Sequence, residues 1–143
     1  MFPMFQDELT LDCNLSHIPG LHNFIQSVAD RLGMNQSLTG QVDLAVEEAV
    51  VNVINYAYPE KKGEKGKVTI QAQSDGRCLT LVVIDSGIPF DPMKQEKADT
   101  TLSFEERPIG GLGIFLVREL MDDVSYQRTA EGQNILTMKK SIQ

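Results

Sequence analysis

The chain switches between two hydrophobic periods, and the switches predict its elements. Over residues 18–32, Leu21, Phe24, Ile25, Val28 and Leu32 recur at the three-and-four spacing of one helical face, and Gly33 follows where a left-handed C-cap belongs. A second helix is predicted to about residue 57, capped by Ser37 or Thr39, with Leu44, Val51, Ile54 and Tyr58 as its apolar stripe. Over residues 67–73 the period drops to two. Val68, Ile70 and Ala72 alternate with Thr69, Gln71 and Gln73, as in a strand buried on one face. Asp75-Gly76 marks a hairpin turn into a more fully apolar strand over 79–84. Residues 8–15 read as a first strand, 112–121 as a third helix, and 124–128 with 134–140 as a closing hairpin around Glu131-Gly132. The order β-α-α-β-β-loop-α-β-β predicts an α+β fold, a two-layer sandwich with a mixed, mostly antiparallel sheet and helices on one face.

Two stretches interrupt this pattern. Residues 59–66 form a polar loop after the helix-ending Pro59, and residues 90–108 form a long polar segment bounded by Pro92 and Pro108. A loop of the second length inside a compact domain is usually functional. A chain of 143 residues suits a single domain over 1–143. Its 41% hydrophobic and 23% charged residues are ordinary for a globular protein.

Charge narrows the function. Thirteen basic against 20 acidic residues give −7, which argues against a partner held by phosphate neutralisation, so no direct nucleic-acid contact is expected. The first residues lack a basic n-region and a long apolar run, so neither a leader nor a membrane span is expected. Cys13 and Cys78 are far apart and lack metal spacing, which suits reduced thiols in a cytoplasmic protein. His17 and His22 lack partner ligands at metal spacing and read as surface or capping residues.

Three short segments carry the candidate chemistry. In Glu47-Glu48-Ala49-Val50-Val51-Asn52, Glu48 and Asn52 are four apart on one helical face, with the small Ala45 and Ala49 beside them. A carboxylate and an amide there can hold a hydrated cation such as Mg²⁺, which takes few protein ligands when phosphates supply the rest. A solvated helix face would look the same. In Ile84-Asp85-Ser86-Gly87-Ile88-Pro89, a carboxylate leaving a buried strand can accept from the exocyclic amine of a base, and Gly87 would let that base come close. An ordinary Asp-Ser-Gly turn has the same residues. Gly110-Gly111-Leu112-Gly113-Ile114 opens a helix with free backbone N–H groups and a partial positive charge, which suits phosphate. It is neither a Walker loop nor a dinucleotide fingerprint, and a tight entry into a core helix would also explain it.

Taken together, the order and spacing of these segments, with the long loop between the second and third, resemble the GHKL (histidine kinase-like) ATPase superfamily along nearly the whole chain. The runs Asp85-Ser86-Gly87-Ile88-Pro89-Phe90-Asp91-Pro92 and Gly110-Gly111-Leu112-Gly113-Ile114-Phe115-Leu116-Val117-Arg118 resemble its anti-sigma-factor serine/threonine kinase branch. The resemblance implies a Bergerat-type ATP-binding fold. It implies Glu48 as general base, Asn52 as Mg²⁺ ligand and Asp85 as the adenine-binding carboxylate, with Gly87 shaping that pocket. It implies Gly111, Leu112 and Gly113 as the phosphate cradle, residues 93–109 as an ATP lid, and Arg107 as a contact to the γ-phosphate. Pro89 replaces a glycine common in the superfamily, although the serine-kinase branch often has proline there.

The implied activity is ATP-dependent phosphorylation of a small STAS-type antagonist protein, with a sigma factor as the sequestered partner and a homodimer as the assembly. Two other readings remain at this stage. One is an ATP-binding interaction module without catalysis, for which Glu48 has no use. The other is the catalytic domain of a histidine kinase, which needs an adjoining phosphoacceptor helix pair that these residues do not contain.

Overall fold

A computed structural model describes residues 5–59, 66–91 and 111–143, with the side chains of 111–113 excluded. Strands β1 (Phe5–Asp12), β2 (Lys67–Ser74), β3 (Cys78–Asp85), β4 (Asp123–Arg128) and β5 (Asn134–Ser141) form one sheet in the order β1-β2-β3-β5-β4. Helices α1 (Ile18–Leu32), α2 (Gln36–Tyr56) and α3 (Gly111–Leu120) complete the α+β arrangement. Among the described residues, no helix is long and apolar enough to cross a membrane.

The sheet expected to be mixed is antiparallel at each of its pairings. Connectivity explains the difference. The helical hairpin α1–α2 returns the chain to the end it left, so β2 runs back along β1. After β3 the chain reaches β4, which runs in the same direction, but β5 folds back between them and separates the parallel pair.

Strict alternation in β2 and β3 puts Val68, Ile70, Ala72, Leu79, Leu81 and Val83 on the buried face, joined by Leu136 and Met138 of β5. Burying each of the larger of these side chains contributes about 1.5–3 kcal/mol. α1 covers them with Leu21, Ile25, Val28 and Ala29, and ends at Gly33 with φ of 69°. α2 departs from its expected face. Its inward line is Val42, Ala45, Val46, Ala49, Val50 and Val53, while Leu44 is 37% exposed and Val51 and Ile54 lie at the flank. The small residues expected beside a polar face therefore pack in the core, and Asn52 goes inward with them. The cap also moves: Asn35, not Ser37 or Thr39, accepts from the Leu38 N–H at 2.8 Å, while the Thr39 hydroxyl donates to the Asn35 carbonyl. The first strand lies three residues earlier than expected, because the Asn14 side chain caps a short 3-10 turn over Leu15–His17.

Three attachments hold the end of α2 to the sheet. The Tyr58 hydroxyl donates to the Lys67 carbonyl and accepts from the Ser86 N–H, both at 2.8 Å. The Ile88 N–H donates to the Ala57 carbonyl at 2.8 Å. Gly87 is pressed so close that an added Cβ would lie 2.1 Å from the Ala57 oxygen. On α3, the last turn is fixed by Lys140, whose Nζ donates to the Leu120 carbonyl at 2.5 Å. His22 of α1 joins α2: its Nδ1 lies 2.7 Å from Asp43 Oδ2, and its Nε2 lies 3.5 Å from Glu47 Oε1. The Asp43 hydrogen bond raises the imidazole pKa above its ordinary value, with the Asp43 and Glu47 charges adding and partial burial opposing.

Two predictions follow from these contacts. Gly87→Ala, which must push apart loop and helix end, is expected to lower stability by about 1–3 kcal/mol in urea unfolding. A raised imidazole pKa stabilises the fold fully below the unfolded value of about 6.5, and that contribution disappears as pH rises through the folded value. The urea midpoint of wild type should therefore fall between about pH 6 and pH 8. His22→Gln should lack this component of the fall, and an identical pH dependence in both proteins would contradict the assignment.

Candidate nucleotide-binding site

A narrow pocket lies between α2, β3, β5 and the loop after β3. Ala49, Val53, Val83, Leu136 and Phe90 supply apolar walls, and Asn52, Asp85, Asn134 and Tyr126 supply polar groups. Apolar walls with a few convergent polar groups are the usual make-up of a small-molecule site. Phe90 is backed by Tyr56 of α2, with ring centroids 5.5 Å apart and planes 21° from parallel.

The period of β3 puts Asp85 here. As the last residue of a strand whose inward positions are Leu79, Leu81 and Val83, it falls on the buried phase and is 6% exposed. Its Oδ1 accepts from the Gly87 N–H and from Asn134 Nδ2, both at 2.9 Å. Burial raises its pKa above the ordinary carboxylate value, while the Asn134 and Gly87 hydrogen bonds and the Arg128 charge oppose that rise.

Asn52 is 5% exposed, and its Nδ2 is buried with no hydrogen-bond partner among the described residues. An orphaned buried polar atom costs about 1–3 kcal/mol and calls for an explanation. The two ends of an amide are assigned from their surroundings, so this group can present either a donor or an oxygen ligand to something in the pocket. That fits a Mg²⁺–nucleotide, whose cation needs oxygen ligands and whose phosphates need donors.

Glu48 lies one helical turn before Asn52, half-buried and outside the pocket lining. Burial, followed by the Glu47 charge, raises its pKa above the ordinary glutamate value. The structure therefore brings Asn52 and Asp85 into one pocket, with Glu48 a turn away. At Gly87, the space a side chain would need is occupied by the end of α2, so this glycine serves close packing of the backbone. Gly111, Leu112 and Gly113 form the first turn of α3, which packs on α2. Gly110, Arg107 and the segment 93–109 lie outside the described residues.

Sequence reasoning missed Asn134, Tyr126 and Arg128. Asn134 Nδ2 also donates to the Ile88 carbonyl at 2.7 Å, and its Oδ1 accepts from the Tyr126 hydroxyl at 2.5 Å. One signal was available: Asn134 shares the phase of Leu136 and Met138, so the closing strand begins with an amide on its buried side. The roles of Tyr126 and Arg128 depend on register, which a single chain does not display.

Known proteins resemble this chain in sequence and in fold. A family model described as a histidine kinase-like ATPase domain matches residues 11–140. The serine-protein kinase RsbW of Bacillus pumilus is 33% identical over 108 residues, covering 72% of this chain and 66% of that protein. The protein of the same name from Bacillus cereus is 29% identical over 140 residues, covering 95% of this chain and 84% of its own length. A crystal structure of RsbU and RsbW domains from Mycobacterium tuberculosis superposes with a TM-score of 0.62 at 16% identity, over 96% of this chain and 32% of that one. The histidine kinase domain of a blue-light activated kinase from Erythrobacter litoralis gives 0.54 at 14% identity, over 92% and 62%. These two likenesses concern the fold. The match of the family model runs from the first strand into the last and takes in the whole pocket, and on it the chain belongs to the histidine kinase-like ATPase domain family.

Proposed function

We propose that this protein is an ATP-dependent serine/threonine protein kinase that works as an anti-sigma factor in partner switching, in the cytoplasm and as a homodimer. Its substrate would be a STAS-type antagonist protein, and a sigma factor would be the partner it sequesters. The observation that carries this reading is the pocket that joins a buried carboxylate to a buried amide with an unmet polar atom. Relatives that carry the name serine-protein kinase support the choice of reaction.

In this reading Asp85 accepts a hydrogen bond from the adenine amino group, which an ionised carboxylate can only accept. Asn52 would hold Mg²⁺, which when bound neutralises the phosphates. Phosphoryl transfer asks a protein chiefly for positioning and electrostatics. The first turn of α3, at Gly111, Leu112 and Gly113, would offer its N–H groups to those phosphates. The acceptor hydroxyl forms a bond to the γ-phosphorus as the bond to the β–γ bridging oxygen breaks, and Glu48 takes the hydroxyl proton. A raised pKa improves a carboxylate as a base, because proton affinity rises with it. Arg107 would contact the γ-phosphate and residues 93–109 would act as the lid.

The competing reading, an ATP-binding module without catalysis, is separated by one variant. Glu48→Gln should keep Mg-ATP binding in calorimetry and lower transfer of labelled phosphate to a STAS-domain protein about 10²–10⁴-fold. Undiminished transfer would remove Glu48 from the base role, and a wild type that binds ATP but transfers to no such protein would favour the module. Asn52→Ala should abolish the difference in ATP affinity with and without EDTA. Asp85→Asn, which replaces one acceptor oxygen by a donor, should weaken ATP about tenfold or more; unchanged affinity would move adenine out of this pocket.

A further inference from the structure

We propose that Arg128, acting through Asn134, makes the pocket select a 6-amino purine over a 6-oxo purine. The inference rests on the nucleotide reading above and adds the origin of its base selectivity.

The argument starts from register. Asp85 of β3 is paired with Asn134 of β5, and Asn134 is paired with Arg128 of β4. A carboxylate, an amide and a guanidinium therefore stand abreast on three neighbouring strands. The amide is oriented between the two charges. Its Nδ2 donates to Asp85 Oδ1 at 2.9 Å and to the Ile88 carbonyl at 2.7 Å. Its Oδ1 accepts from the Tyr126 hydroxyl at 2.5 Å, and from the Phe90 N–H and an Arg128 guanidinium nitrogen, each at 3.3 Å. The same Arg128 nitrogen donates to the Gly87 carbonyl at 2.8 Å. Turning the amide over would set its oxygen against the carboxylate and its hydrogens against three donors, so only one orientation is stable.

This orientation decides what Asp85 can read. Two donors already occupy Oδ1, Asn134 Nδ2 and the Gly87 N–H, and Arg128 touches the residue supplying each. Among the described residues the second carboxylate oxygen accepts no hydrogen bond, which leaves it for a ligand. While ionised it accepts from a 6-amino group and repels a 6-oxo group; once protonated it can donate to the 6-oxo group. Selectivity thus depends on which form persists in a pocket where burial favours the protonated one. The titratable groups that face Asp85 are Cys13 after β1, Tyr58 at the end of α2, and Tyr126 and Arg128 on β4. Burial raises the Cys13 thiol to about 11 and raises Tyr58 above its ordinary value, so both are neutral near pH 7. Among the described residues facing Asp85, Arg128 alone is a cation. It acts as a positioning residue: it does not line the pocket, and it works through the amide, the loop carbonyl and its charge.

The test is the ratio of dissociation constants for inosine and adenosine triphosphates, measured with Mg²⁺ by calorimetry from about pH 5 to pH 8. Wild type should prefer ATP, and the preference should fade as pH falls. Arg128→Met should reduce the ratio about tenfold near neutral pH and should begin to lose selectivity at higher pH than wild type. Arg128→Lys, which keeps the cation, should recover most of the ratio. Asn134→Asp tests the same row independently should Arg128→Met fail to fold, and it too should erode the ratio. An unchanged ratio in a folded Arg128→Met protein, or an equal loss of affinity for both nucleotides, would overturn the inference while leaving the nucleotide site standing. A wild type that binds neither nucleotide at millimolar concentration would instead overturn the nucleotide reading, and the inference with it.

Discussion

The structure depends on housing one carboxylate inside an apolar layer. Asp85 ends the most buried strand on its inward phase, where a charge is costly unless it is hydrogen-bonded or paired. The chain meets that cost locally. The Gly87 N–H and the Asn134 amide bind the carboxylate, Arg128 braces both, and the loop from Ser86 to Phe90 takes its shape from those bonds. The side chains that satisfy the acid also tie the loop to the sheet, and so set Phe90 as a wall of the pocket.

α2 contributes from the other layer by a similar compromise. Its inward face is made of small aliphatic residues, which lets the helix sit close to the strands, and Asn52 is the polar member of that face. The unmet amide atom is tolerated because the surrounding core of α1, α2 and the sheet is large enough to hold the helix in place.

Much of this was legible in the chain. Strand and helix positions followed from periods of two and of three to four, since one buried face imposes each period. Asp85 could be identified because a charge ended an apolar run, and Glu48 and Asn52 because a spacing of four sets them on one side of a helix. The family match to 11–140 bears out the resemblance those motifs carried. Less was legible where an answer needs a partner strand or a neighbouring layer. The inward line of α2 was misjudged because aliphatic residues occur nearly all round that helix, so period alone does not choose among faces. The sheet was expected to be mixed because strand order is a long-range property. Asn134 carried a visible signal, an amide in the buried phase, but its pairing with Asp85 and Arg128 exists only once β3, β5 and β4 are side by side.

Gly87 changes how the Asp-Ser-Gly motif should be read in other chains. The two letters answer to different demands: the acid to the hydrogen bonds that shape the loop, the glycine to the helix end resting on the loop, where even a methyl group meets the Ala57 carbonyl. A descendant that stopped binding nucleotide could exchange the acid for another group that accepts from the Gly87 N–H and Asn134, and would still be obliged to keep the glycine. In such a sequence the glycine would testify to ancestry and architecture, and only the residue two places before it would testify to use.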